Sequence, residues 1–305
     1  MHSYSARFAP HSSEAPPLRA LWILILLLGA CSETSSEVDG TTGQTDLGQP
    51  DLALPDIGPA GTGGSGGLPG HTMQDLTYNG TKRAFAVHVP PKYDGKTPVP
   101  LLLHFHGWRP APVGVSDELK YLWGSTADAE IFIAVAPEGQ PCAELNPSDP
   151  YYCFRQTDDG LYVAELIKHL GQLYNLRPDR IFIAGHSGGA FFVQGHGLSS
   201  SSTYVAAVTF SGGCIISSDQ YGNSCSVYTK LSAAAPRKIP YFVAHTDTDQ
   251  VVPTSYSAEL LKLLKAGGHP TSSESKYDGG TYGHSVDPVI IPKVWAWLAG
   301  FQLTK

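Results

Sequence analysis

Five short apolar runs in the chain are continuous rather than alternating. They are residues 100–105 (PLLLHF), 131–136 (IFIAVA), 181–184 (IFIA), 205–210 (VAAVTF) and 241–244 (YFVA). A strand with one wet face alternates apolar and polar residues, whereas a continuous run needs cover on both faces. These runs therefore predict the buried strands of a parallel sheet. Between them the period becomes helical. Val163, Leu166, Ile167, Leu170 and Leu173 recur at three- and four-residue steps behind Asp158 or Asp159, a start signal. Residues 190–198, 255–266 (stopped by Gly267 and Gly268) and 292–301 predict further helices. Ahead of the first run, Asn79-Gly80 separates residues 76–78 from 84–89, a strong hairpin signal. The expectation is an α/β fold: a mostly parallel central sheet with helices on both faces and an N-terminal antiparallel hairpin.

The first 71 residues read differently. Residues 20–28 (ALWILILLL), behind Arg7 and Arg19, are long enough to engage export and too short to span a bilayer. They end in Leu28-Gly29-Ala30-Cys31, which resembles the bacterial lipobox. That resemblance implies a signal peptide over 1–30 and an acylated Cys31 at the mature N-terminus. It implies an exported lipoprotein, held by its lipid at the outer membrane or cell surface. Residues 31–71 are expected to be a disordered, acidic, Gly-rich tether. Positions 32–71 hold ten Gly and six acidic residues, with no Lys, Arg or aromatic residue, too little apolar surface to offset ordering. Residues 72–305 are then one folded domain.

Composition narrows the classes. A net charge of -7 over 305 residues leaves no basic footprint, so nucleic acid is not an expected partner. Only 15% charged residues, with 33 Gly and 24 Pro, argue against a coiled coil or bundle. The domain has four cysteines, an even number that suggests disulfides in an exported chain. Equal spacings of 11 favour Cys142–Cys153 and Cys214–Cys225 among three possible connectivities. A four-cysteine zinc site is the competing reading, but it lacks any Cys-x-x-Cys pair.

The chemistry gathers at strand ends. Gly185-His186-Ser187-Gly188-Gly189 directly follows the run 181–184 and precedes a helical stretch. This is a nucleophile elbow in its required setting, a sharp turn that exposes the serine. Serine needs a base, and the base needs an orienting acid. After the run 241–244 come Asp247 and Asp249, either of which could serve. His284 in a Gly-rich loop is the expected base. His269 competes, but follows a helix stop and precedes Pro270, a surface-turn setting. The oxyanion hole is expected from the amide of Gly188 and that of Trp108, in the His104-Phe105-His106-Gly107-Trp108 segment ending the run 100–105. Two histidines at i and i+2 could also suggest metal, but no third ligand is suitably spaced, and no metal or cofactor is expected.

Together these motifs resemble the α/β-hydrolase group of polyhydroxybutyrate depolymerases and feruloyl and acetylxylan esterases (carbohydrate esterase family one). The resemblance covers about residues 75–300. Its carriers are PLLLHFHGW, AVAPEG, Thr157-Asp158-Asp159, IFIAGHSGGA, HTDTDQVVP and Gly283-His284. It implies the α/β-hydrolase fold, a Ser187–His284–Asp249 triad and an acyl-enzyme. It also implies activity on feruloyl or acetyl esters of plant polysaccharide, or on hydroxyalkanoate oligomers. The family's His-Gly-x-x-Asp-x-x-Val pattern selects Asp249 over Asp247. Thr246 departs from it where Gly is usual, which puts the loop presenting Asp249 in question. His186, Trp108 and Tyr282 are expected to meet substrate, and the protein is expected to act as a monomer. Tyr151, Tyr152 and Phe154 would either stack on a ring or pack the disulfide loops. The competing readings are a serine peptidase and a non-catalytic surface glycan-binding protein on the same fold.

Overall fold

The computed structural model describes residues 67–109, 114–142, 151–216 and 223–303. The expected leader, Cys31 and nearly all of the tether lie outside them. Strands β1 (Gly70–Tyr78) and β2 (Thr81–Val89) form the expected hairpin, with Tyr78 opposite Thr81. Asn79 and Gly80 both take positive φ, 47° and 77°, the geometry a two-residue hairpin turn requires. Because β1 starts at Gly70, the boundary expected at residue 72 falls inside a strand.

The sheet has eight strands in the order β1-β2-β4-β3-β7-β8-β9-β10. The inner members are β3 (Val99–Phe105), β4 (Ile133–Pro137), β7 (Leu176–His186), β8 (Ala206–Phe210) and β9 (Tyr241–Ala244). They run parallel, and β2 is antiparallel to both β1 and β4. The second edge, β10 (Thr271–Glu274), pairs parallel to β9. A separate small hairpin joins β5 (Gln140–Pro141) to β6 (Tyr152–Cys153).

The continuous apolar runs divide residue by residue between two cores. Leu101, Leu103, Ile181 and Ile183 join one core with Val163, Leu166, Ile167 and Leu170 of α3 (Gln156–Leu173). Phe192 and Val193 of α4 (Gly188–Ser199) and Leu260 and Leu264 of α6 (Thr254–Ala266) complete it, with Tyr228 of α5 (Cys225–Ala234). Leu102, Phe182, Ala184 and Phe242 face the other way. They pack on a helical segment formed by α1 (Val115–Leu119), a π-helical turn (Lys120–Gly124) and α2 (Ser125–Glu130), and on α7 (Ile291–Leu298). This double cover explains why the strands show no alternation. It also leaves the C-terminal ends of the parallel strands open, where ligands of open α/β sheets bind.

Candidate active site

The chain turns from β7 into α4 at Ser187, whose φ of 52° and ψ of −120° are strained for a residue with a side chain. The turn is pinned on both sides: Ser187 N–H donates to Phe210 O at 2.9 Å, and its carbonyl accepts from Ala190 N–H at 2.9 Å. Its flanks must be glycine. A Cβ on Gly185 would lie 2.3 Å from Gly189 O, and one on Gly189 would lie 2.1 Å from Phe105 O. The Gly-x-Ser-x-Gly spacing is thus a consequence of how closely strand and helix approach.

Three loops meet at this serine. The Ser187 hydroxyl donates to Nε2 of His284 at 2.9 Å, and Nδ1–H of His284 donates to Oδ2 of Asp249 at 2.8 Å. Asp249 is fully enclosed at its side chain. Its Oδ1 accepts from the amides of Val251 (2.8 Å) and Val252 (2.9 Å). Burial pushes its pKa up, but donation from His245, His284 and both amides outweighs that and holds it far below the usual carboxylate range. Asp247 is exposed and makes no bond to His284. The substitution of Thr246 for the usual Gly is absorbed. Its φ is not positive, its hydroxyl accepts from Thr248 N–H at 3.2 Å, and its carbonyl accepts from Asp249 N–H at 3.2 Å. Gly283 permits the approach of the histidine loop, since a Cβ there would sit 2.2 Å from Thr248 O.

The loop after β3 passes over the serine, and a Cβ on Gly107 would be 3.0 Å from Ser187 Cβ. His106 fixes this loop. Its Nε2 accepts from Gly139 N–H at 2.9 Å, so Nδ1 carries the proton and donates to Gly107 O at 2.6 Å. A trans peptide points its N–H opposite to its carbonyl. Fixing Gly107 O therefore fixes the direction of the Trp108 N–H. Gly188 opens α4, so its N–H has no intrahelical acceptor. His104, in contrast, donates to Glu118, which also pairs with Arg109. The two histidines serve different partners, and the described residues contain no group able to hold a metal.

The other expected residues separate. Trp108 and Tyr282 are 46% and 56% exposed, and the Trp108 indole covers Gly188 closely enough that a Cβ there would meet its Cδ1 at 2.3 Å. His186 donates from Nε2 to His284 O at 2.5 Å, so it supports the base's loop. Burial, with the neighbouring His284, lowers its pKa to about 4. The surface setting expected for His269 is incorrect. It is buried, bonded to Ile239 O and Ser232 Oγ, because the turn folds back under α5. Phe154 packs on Phe105, His106 and Phe192 rather than standing free. Both expected disulfides, Cys142–Cys153 and Cys214–Cys225, are present. Sequence reasoning missed His245, whose Nε2 lies 3.1 Å from Asp249 Oδ2. Its position directly after β9, four residues before the acid, was an available signal.

The chain is similar to known proteins in sequence and in fold. The family described as phospholipase/carboxylesterase matches residues 158–299, a stretch holding Ser187, Asp249 and His284. The chain is 26% identical over 179 residues to the bifunctional acetylxylan esterase/xylanase XynS20E of Neocallimastix patriciarum. That match covers 58% of this chain but only 23% of the relative's length. Among solved structures, a thermostable esterase superposes with a TM-score of 0.57 at 19% identity, over 76% of this chain and 63% of that one. A ferulic acid esterase gives 0.57 at 17%, over 76% and 98%. The fold is that of the α/β-hydrolases.

Proposed function

We propose that the protein is a serine carboxylic-ester hydrolase. The observation that carries this is the continuous chain from Asp249 through His284 to Ser187, with bonds of 2.8 and 2.9 Å. Ser187 Oγ attacks the ester carbonyl carbon while His284 Nε2 takes its proton. The carbonyl electron pair moves onto oxygen, facing the amides of Gly188 and Trp108. Collapse expels the alcohol, protonated by His284. Water, deprotonated by the same nitrogen, then releases the acid and restores the serine.

The substrates we favour are feruloyl or acetyl esters of plant polysaccharide. The similarity to an acetylxylan esterase and a ferulic acid esterase supports this, as do the exposed ring of Trp108 against Gly188 and that of Tyr282, two residues before His284. Hydroxyalkanoate oligomers are the neighbouring class. We further propose that the enzyme is exported, monomeric and anchored through an acylated Cys31. A panel of p-nitrophenyl acetate, methyl ferulate, acetylated xylan and hydroxybutyrate oligomers, with Ser187→Ala as control, tests the activity. Serine-dependent release of ferulate or acetate is expected, and equal release by Ser187→Ala would overturn the mechanism. Cys31→Ser should move the protein out of the membrane fraction, and unchanged fractionation would count against the anchor.

A further inference from the structure

Behind the acid stands a second histidine. His245 follows β9 directly and is buried. Its Nδ1 lies 2.6 Å from Oγ of Ser257 on α6, and that hydroxyl lies 2.7 Å from Gly212 O. A hydroxyl carries one proton, and a carbonyl can only accept. The proton of Ser257 therefore points to Gly212, and Nδ1 of His245 must donate its own. The other ring nitrogen, Nε2, lies 3.0 Å from Val252 O and 3.1 Å from Asp249 Oδ2. Neither of those atoms has a proton to give, so Nε2 must donate as well.

We infer that His245 is a doubly protonated imidazolium sharing the carboxylate of Asp249 with His284, and that it acts as a positioning residue for the triad. This rests on the triad reading above. Asp249 is engaged at both oxygens: two amides donate to Oδ1, His284 donates to Oδ2, and Nε2 of His245 stands 3.1 Å from that same Oδ2. The carboxylate cannot rotate without breaking an ion pair. His245 also partly neutralises Asp249. The acid then offsets the positive charge that His284 takes on during the reaction less strongly than an unpaired carboxylate would.

The surroundings support a local charge balance. A cavity of about 480 Å³ adjoins His245, lined also by Asp247, Ser257, Glu274 and Lys276. The Glu274 carboxylate is occupied by the amides of Ser275 and Lys276 and by Lys293. Burial pushes the Tyr277 phenol up to about 12, so it stays neutral near Asp249. Among the described residues, Asp249 is the anion in contact with the ring.

The test combines a spectroscopic and a kinetic readout on the full chain. In protein labelled with 15N-histidine, the His245 ring signals are assigned by their loss in His245→Gln. Both nitrogens should carry protons in the active, folded protein; one bare nitrogen would overturn the proposal. In His245→Gln, which retains a donor but no charge, the acidic limb of the kcat/KM profile should move up by about one pH unit. An unmoved limb in a variant that melts cooperatively would also overturn it. Reaction of Ser187 with a fluorophosphonate, followed in parallel, reports on the triad itself. Loss of that reading is thereby distinguished from loss of this one.

Discussion

His106→Phe isolates the part of the site that we propose holds the oxyanion. Phenylalanine preserves the ring and its packing on Phe154, whose centroid lies 4.8 Å away. It removes the acceptor for Gly139 N–H and the donor to Gly107 O. Each lost bond costs about 1 kcal/mol net, and an amide left buried and unpaired costs about 1–3 kcal/mol. At about 2–4 °C per kcal/mol for a domain of this size, the melting temperature should fall by about 5–10 °C. The kinetic effect is separate. The peptide between Gly107 and Trp108 becomes free to turn, and the Trp108 N–H loses its fixed aim. Removing an oxyanion donor outright costs about 100- to 1,000-fold in kcat, so misaiming one should cost about 10- to 100-fold. KM should change little, because the ground-state carbonyl draws less on that donor. Steady-state kinetics on p-nitrophenyl acetate, with a thermal melt of the same sample, separate the two effects. A variant that melts lower yet retains full kcat would refute the reasoning that His106 sets the oxyanion peptide.

Other consequences follow from groups outside the triad. Burial lowers His106 to about 4 and His196 to about 3, against 6.5 for the free side chain. The unfolded chain then binds more protons than the folded one below about pH 6.5, so their contribution to stability is intact above that pH and declines as pH falls toward about 4. The two groups together give a slope of up to about 3 kcal/mol per pH unit; melts recorded across the window should show it, and a flat Tm would contradict it. Arg83 pairs at 2.5 Å with Asp159, both buried, and Asp159 also accepts from Arg155 N–H at the start of α3. Arg83→Met strands that carboxylate and should cost about 3–5 kcal/mol in denaturant unfolding; a loss under about 1 kcal/mol would show that the carboxyl takes up a proton cheaply instead. The hairpin closed by Cys142–Cys153 contacts both Gly139 and, through Tyr152 N–H, Arg109 O. Replacing both cysteines by Ala should cost about 3 kcal/mol and lower kcat as well as Tm, whereas a change in Tm alone would mean the hairpin does not support the oxyanion loop.

Much of the sheet was legible because burial on both faces leaves a compositional mark. Each apolar run between 100 and 244 became a strand, since its odd and even residues enter different cores. The strand β10 left no such mark. Thr271–Glu274 is polar and sits at an edge, held by backbone pairing to β9 rather than by burial. The segment from Val115 to Glu130 is less legible, although Val115, Leu119, Leu122, Trp123 and Ala127 have helical spacing. A π-helical turn at Lys120–Gly124 interrupts its regularity.

At the site, Ser187, Asp249 and His284 could be named because each follows a strand or Gly-rich turn in a recognisable order. The roles of His106 and His245 could not. They depend on which atoms face each ring nitrogen, and that is decided by loops distant in sequence: Gly139 for one, Ser257 and Gly212 for the other.

The central claim is that Ser187 is a nucleophile activated by His284 and Asp249. Its most direct test is mass spectrometry of the protein after reaction with a fluorophosphonate, beside Ser187→Ala and His284→Ala. The account predicts one phosphonyl group per chain, located on the peptide containing Ser187. It should be absent from the serine variant and form far more slowly in the histidine variant. An unlabelled wild type, or a label on another residue that persists in Ser187→Ala, would contradict it.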